Sequence, residues 1–294
     1  MRSHLPRCFA FGMILALVLL TLTHTTGLSD TDVNSRIAAL EKRTGGRLGA
    51  AALDTGSGKR IEYRSKERFA MCSTFKFLLA AAVLARVDEK RDSLDRRIPY
   101  GAADLLEYAP VTGKHLPEGG MTLSALCAAS IEYSDNTAAN LLLTVLGGPR
   151  ELTRYVRSLG DSVTRLDRNE PYLNSNAPGD VRDTTSPAAM LNDMARLLSG
   201  NRLSTASRSQ LENWLVGSTT GAARLRAGFP AAWRVGDKTG TGANNASNDI
   251  AIAWPPGKSP ILAAVYLTNS KSAGPEGEAV IAEVGKIIAS VFAK

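Results

Sequence analysis

Strand-like patterns stand near both ends of this chain and almost nowhere between, and that order restricts the fold more than any other feature of the sequence. Val33, Ile37 and Leu40 recur at helical spacing within Val33 to Arg43. Two extended segments, Arg47 to Asp54 and Arg60 to Arg64, then flank Thr55-Gly-Ser-Gly58 in the manner of a β-hairpin. From Ser73 to about Leu215 helical periodicity takes over, in Phe75 to Val87, Leu123 to Ile131, Thr137 to Leu146, Pro149 to Ser158, Pro187 to Leu198 and Ala206 to Val216. Strand character returns at Asp249 to Trp254 and Pro260 to Thr268, and a helix from about Gly277 to Ala293 follows. The terminal strands can share one sheet only if the helical block is inserted between them. The expected fold class is therefore α/β plus all-α. Residues 28–66 and 217–294 form a discontinuous sheet domain, and 67–216 an all-α domain. Junctions of this kind favour ligand sites.

The first residues carry a separate signal. Arg2, His4 and Arg7 precede an uncharged apolar run, Phe9 to Leu22, which gives way to the polar stretch Thr23 to Ser29. A basic start followed by a short apolar core is the pattern of a secretory signal peptide over 1–27, and the run is short for a membrane span. Periplasmic or secreted localisation follows, with no stable membrane association after cleavage. The formal charge of +7 is scattered, without a basic stripe or aromatic-interleaved run, so no nucleic-acid partner is expected.

Elimination narrows the chemistry. Of three histidines, His4 and His24 fall in the leader, leaving His115 in the loop-like stretch Thr112 to Gly120. A histidine-built zinc site is thereby excluded, and Cys72 and Cys127 have no CxxC partners, so no metal is expected. A Ser-His-Asp triad would need His115, and no GxSxG elbow accompanies it. Neither a Walker loop nor a dinucleotide fingerprint occurs, and no cofactor is expected. A hydrolase built from this chain uses lysine or a carboxylate as its base.

Four short elements carry such chemistry. Ser73-Thr-Phe-Lys76 opens a helical run, so i,i+3 spacing sets hydroxyl and amine on one face, at the positive helix end. Ser134-Asp-Asn136 lies at a helix junction, and Lys238-Thr-Gly240 follows the strand-like Trp233 to Asp237. Gly240 would leave backbone room at a strand edge, where a planar amide could pair. Arg168-Asn-Glu-Pro-Tyr-Leu-Asn174 lies in the poorly periodic stretch Leu166 to Ser186, and loops this long are usually functional. Each element alone reads as a cap, a turn or a solvated loop.

In this order the set resembles the class A serine β-lactamases, and the resemblance runs from about Val33 to the C-terminus. It rests on Met71-Cys-Ser-Thr-Phe-Lys76, Ser134-Asp-Asn-Thr-Ala-Ala-Asn140, Arg168 to Asn174 and Val235-Gly-Asp-Lys-Thr-Gly240. It implies an antiparallel sheet flanked by helices, with the inserted helical domain carrying the nucleophile and a loop over 165–183. It also implies hydrolysis of the β-lactam amide of penicillins and cephalosporins, and hence antibiotic resistance, by a monomer.

The same resemblance assigns roles. Ser73 is the acylated nucleophile, and Lys76 or Glu170 takes its proton. Glu170 is the deacylation base, with Asn174 positioning the water. Ser134 relays a proton to the leaving nitrogen in the field of Lys238. The backbone N–H groups of Ser73 and Thr241 form the oxyanion hole. Asn136 holds the substrate's side-chain amide, Thr239 and Thr241 meet its carboxylate beside Gly240, and Tyr108 is an aromatic gate. Arg224 binds the carboxylate, with Arg226 as the nearby alternative. Arg168 and Asp183 close the neck of the Glu170 loop, whose Glu170-Pro171 bond is expected to be cis.

Departures from the family pattern bear on the cysteines. Some members bridge the positions of Cys127 and Ala80, others those of Cys72 and Gly242. Alanine and glycine remove both partners here, so both thiols are expected free. Two neighbouring classes share the first three motifs, the penicillin-binding peptidases and the β-lactam sensor domains. Both acylate without turnover, and Glu170 and Asn174 separate this sequence from them.

Overall fold

The computed structural model describes Met1, residues 30–271 and residues 274–293. Apart from Met1, the leader segment read at 1–27 lies outside the described residues. Among the described residues no helix is long and apolar enough to cross a membrane.

The elements begin with α1 (Asp30–Thr44), the hairpin β1 (Arg47–Asp54) and β2 (Arg60–Tyr63), and a short β3 (Phe69–Ala70). A 3-10 turn, Cys72–Thr74, leads into α2 (Phe75–Asp88), followed by β4 (Arg97–Pro99) and β5 (Gly120–Thr122). Next come α3 (Leu123–Glu132), α4 (Asn136–Leu146), α5 (Pro149–Ser158), β6 (Thr184–Thr185), α6 (Pro187–Met194) and α7 (Thr205–Val216). A short α8 (Leu225–Gly228), the strands β7 (Arg234–Gly242), β8 (Ala246–Trp254) and β9 (Ile261–Thr268), and α9 (Pro275–Phe292) complete the described fold.

The five long strands form one antiparallel sheet in the order β2-β1-β9-β8-β7. Strands from the two ends of the sequence therefore meet in its middle, with Arg47 opposite Thr268 and Asp54 opposite Ile261. β8 and β9 are buried almost throughout, as their near-continuous apolar runs require of strands covered on both faces. Side chains alternate between the faces. Ala251, Ala263, Val265 and Leu267 pack with α1 and α9, whereas Ile250, Ile252, Leu262 and Tyr266 join the core of the helical block. α2 is apolar all round, and every residue from Phe75 to Leu84 is buried, which makes it the central helix.

The helical block contains strand structure that its periodicity does not announce. β3 pairs with β6, and β4 with β5, in ladders of two and three residue pairs. Segments this short carry no readable alternation, and the expectation of an all-α block is corrected accordingly. The β3–β6 ladder ties the approach to Ser73 to the end of the loop bearing Glu170, and Met71 N–H donates to Asp183 O at 2.9 Å.

Candidate active site

The segment before α2 turns sharply. Cys72 takes a positive φ of 46°, and Ser73 follows in the 3-10 turn, next to β7. A side chain at Gly240 would place its Cβ 2.7 Å from Met71 O and 3.2 Å from Ser73 N. The strand and the nucleophile turn therefore approach to backbone contact, and only glycine permits it. This corrects two expectations. The Lys238-Thr-Gly240 motif lies within β7 and does not follow it, and the room at Gly240 is occupied by the chain that carries Ser73. β7 is the last strand of the sheet, so the sequence element and the sheet edge coincide as expected.

Asp135 organises the second wall. It caps α4, with Oδ1 accepting from Ala138 N, and its other oxygen accepts from Val111 N and Thr112 N. The 105–115 segment is thus bound to the start of α4, and Asn136 N–H donates to Tyr108 O at 3.0 Å. Ser134, one residue earlier, sits at a φ of 58°, an uncommon conformation for a non-glycine residue.

The third wall is the loop with Glu170. Arg168 Nε meets Asp183 Oδ2 at 2.5 Å, and Asp183 Oδ1 accepts from the N–H groups of Asp167 and Arg168, so the loop neck is closed as expected. The Glu170-Pro171 bond is cis. Asn140 clamps Glu170 through its backbone, with Oδ1 accepting from Glu170 N and Nδ2 donating to Glu170 O, both at 3.0 Å.

These walls bring Ser73, Lys76, Ser134, Glu170 and Lys238 together. Ser73 Oγ donates to Glu170 Oε1 at 3.4 Å, and Asn174 Nδ2 donates to Glu170 Oε2 at 2.5 Å. Lys76 Nζ lies 3.0 Å from Glu170 Oε1 and donates to Ser134 O at 2.8 Å and Asn136 Oδ1 at 2.6 Å. Lys238 Nζ donates to Ser134 Oγ at 3.0 Å, and Lys76 Nζ reaches the same hydroxyl at 3.4 Å. Both lysines are fully buried. Burial lowers the pKa of Lys76 against the opposing pull of Glu170. Burial, and then the neighbouring charge of Lys76, holds Lys238 well below the ordinary lysine range. Two buried lysines of lowered pKa thus share one hydroxyl, a ready path for a proton.

Above this cluster opens a cleft of about 370 Å³ lined by Ser73, Tyr108, Ser134, Asn136, Asn174, Thr220, Arg224, Thr239 and Thr241. Gly240 lies behind it, against the Ser73 turn. Asn136 spends its carbonyl on Lys76, and its Nδ2 has no partner among the described residues. Arg224 reaches the cleft with Nη2 on Thr241 Oγ1 at 2.8 Å and is anchored by Gly240 O, Asn248 O and Glu278. Arg226 is instead engaged by the buried Asp237, so the open choice between the two falls to Arg224 as the cleft residue. His115 pairs with Glu118 and lines no part of the cleft. Cys72 and Cys127 are both free and buried, and burial pushes the Cys72 thiol up to about 12.

Three contributors escaped the sequence reading. Thr220 faces the cleft with its hydroxyl 2.6 Å from that of Thr239. Asn140 stands one turn beyond Asn136, a helical spacing that could have flagged it. Asp135 reads as an ordinary cap, and its hold on residues 111 and 112 leaves no local trace.

A twisted antiparallel sheet with helices on both faces, and a serine, two lysines and a carboxylate at its edge strand, defines the serine hydrolases that open β-lactams. The model of the beta-lactamase enzyme family matches residues 32–292, and the chain belongs to that family, in its class A branch. It is 46% identical over 257 residues to the β-lactamase CTX-M-8 of Citrobacter amalonaticus, covering 87% of this chain and 88% of that one. It is 44% identical to the β-lactamase OXY-2 of Klebsiella oxytoca over 94% of this chain and 96% of that one. A solved ancestral class A β-lactamase superposes with a TM-score of 0.87 at 61% identity, covering 88% of this chain and all of that one.

Proposed function

We propose that the chain hydrolyses the β-lactam amide of penicillins and cephalosporins through an ester on Ser73, and so confers resistance to these antibiotics. The observation that carries the reading is the buried Glu170 carboxylate, held between the Ser73 hydroxyl and the Asn174 amide. Ser73 Oγ attacks the ring carbonyl while Glu170, which already accepts its hydrogen bond, takes the proton; Lys76, of lowered pKa and bound to the same carboxylate, is the second acceptor within reach. The negative oxygen formed at the carbonyl is received by the N–H groups of Ser73 and Thr241. The ring C–N bond breaks as Ser134 passes its proton to the nitrogen. Lys76 reprotonates Ser134 and takes in turn the proton held by Glu170, which returns to a carboxylate, while Lys238 holds the Ser134 hydroxyl from the other side. A water positioned by Asn174 then gives its proton to the Glu170 carboxylate as it attacks the ester. Glu170 passes that proton to the departing Ser73 Oγ, releasing the opened product and restoring both residues. Asn136 Nδ2 is free to donate to the substrate's side-chain carbonyl. Thr239, Thr241 and Arg224 offer hydroxyls and a guanidinium to its carboxylate, and Tyr108 flanks the entrance.

The chain's own residues supply every proton transfer, without cofactor or metal. The working protein in this reading is a monomer in the periplasm or outside the cell, exported by the 1–27 leader. A penicillin-binding peptidase or sensor would acylate once and stop. Turnover of a chromogenic cephalosporin separates the two, with many equivalents consumed here against a single burst. Ser73→Ala abolishes covalent labelling by a penicillin, and an adduct found on any other residue of that variant would overturn the assignment.

A further inference from the structure

A cavity larger than the catalytic cleft lies elsewhere among the described residues. It occupies about 510 Å³ on the far side of α2, between the C-terminal half of that helix, α5 and Arg202, within the size range of ligand sites. Its floor is apolar, from Ala82, Ala85, Leu146 and Leu159, and its rim carries Arg86, Arg91, Arg154 and Arg202 against Glu89 and Glu151.

The charges on this rim do not cancel. Arg91 pairs with Glu89, and Arg154 with Glu151. Asp92 is committed to Arg96 through two bonds of 2.7 Å, which leaves Arg86 Nε 3.8 Å away, beyond hydrogen-bond reach. Arg202 has no partner among the described residues. Two of the lining residues also hold buried donors without acceptors, Arg86 Nε and the Tyr155 hydroxyl. Buried polar hydrogens are nearly always satisfied, so a pair of open donors beside one cavity marks a missing acceptor.

We propose that this cavity binds a small organic oxyanion, with its carboxylate or phosphate oxygens on Arg86, Arg202 and Tyr155 and its hydrocarbon body on the apolar floor. The unpaired Arg202, beside an Arg86 held only by Val145 O at 3.3 Å and a distant Asp92 at 3.8 Å, selects negative charge. The open donors ask for oxygen acceptors, and the floor distinguishes an organic anion from an inorganic one. The site lies outside the cleft and shares none of its lining residues.

Isothermal titration with benzene-1,3-dicarboxylate, and separately with inorganic phosphate, tests this on the mature protein. The dicarboxylate binds saturably and the phosphate at least about tenfold more weakly. Arg202→Ala, which changes an exposed and unpaired side chain, weakens dicarboxylate binding about tenfold, the usual loss of a charge-assisted contact. Tyr155→Phe and Arg86→Lys, which retain ring and charge, weaken it as well. Absence of saturation, or saturation untouched by all three variants, overturns the site. Equal binding of phosphate and dicarboxylate overturns the organic body. β-Lactam turnover by Arg202→Ala stays at the unsubstituted level, which separates this inference from the reading of the cleft.

Discussion

One face of the sheet and its β7 edge use burial in opposite ways. Under α1 and α9 the buried residues are aliphatic and aromatic, with Leu48, Val265, Leu267, Ile281, Val284 and Ile288 packed without charge. At the β7 edge, a similar depth of burial holds Lys76, Glu170, Arg224, Asp237, Lys238 and Asp249. Burial pushes the carboxyl groups of Asp237 and Asp249 up, with Asp249 held well above its ordinary range, and pushes both lysines down. The first region stabilises the fold by removing apolar surface from water. The second holds Lys76, Lys238, Asp237 and Asp249 away from their ordinary pKa ranges, and the groups proposed to move protons lie within it. The contrast teaches that stability and reactivity are assigned to different parts of one sheet, the apolar face under α1 and α9 and the charged β7 edge.

The largest test removes the central ion. Glu170→Ala still acylates on Ser73 with a good penicillin but accumulates the ester, losing about a hundred- to ten-thousand-fold in turnover. Pre-steady-state kinetics with intact-mass detection reads this directly. Unimpaired steady-state hydrolysis by the folded variant would break the division between the two regions.

On the apolar side, Ile281→Ala lowers stability by about 2–5 kcal/mol in denaturant titration, while kcat of the remaining folded enzyme is unchanged. A fall in kcat would mean that the outer face also tunes the cleft. Arg224→Ala sharpens the comparison within the ionic seam. It raises KM for a penicillin about tenfold with a smaller change in kcat, the pattern of a lost binding contact. Arg226→Ala instead leaves the buried Asp237 with only the Ser218 hydroxyl and no countercharge from the guanidinium, and its deficit appears in melting temperature.

The smallest effect concerns a buried acid far from the cleft. Burial, and then the nearby Asp161, raises Asp193 from 3.8 to about 8, although Arg196 Nη1 reaches its Oδ1 at 3.3 Å. The folded chain therefore prefers Asp193 protonated. Its contribution to stability is complete below about pH 4 and is lost as pH rises through the window to about 8. Asp193→Asn removes that slope, so the variant gains a few degrees in melting temperature over the unsubstituted protein at pH 8 and little at pH 5. Parallel melting curves for the two proteins across this range would show that the acid is not held protonated.

The sequence made the apolar side legible and the ionic side only partly so. Period-two and period-3.6 patterns report which residues face a core, so β1, β2, β8, β9 and the main helices could be placed within a few residues. α5 runs from Pro149 to Ser158 as read, between a glycine pair and a capped turn. The motif residues of the cleft were legible because their order is distinctive. What escaped depends on contacts between segments far apart in the chain. Asn140 matters through Glu170, thirty residues away, and Thr220 through Thr239. Gly240 was read as space for substrate, and the neighbour that fills that space lies in another part of the chain. The β3–β6 ladder joins Phe69 to Thr185 over two pairs, too short for any periodic signal.

The placement of β9 has a consequence for how the molecule comes into being. β9 lies between β1 and β8, so the hairpin made from residues 47–63 has no inner neighbour until residues 261–268 have been synthesised. Neither sheet face can be sealed before then, because α9 comes later still. Pairing across so long a separation is slow and high in contact order. Most of the polypeptide thus emerges with its sheet unassembled, and the architecture locks only when the penultimate element, β9, has taken its place between β1 and β8.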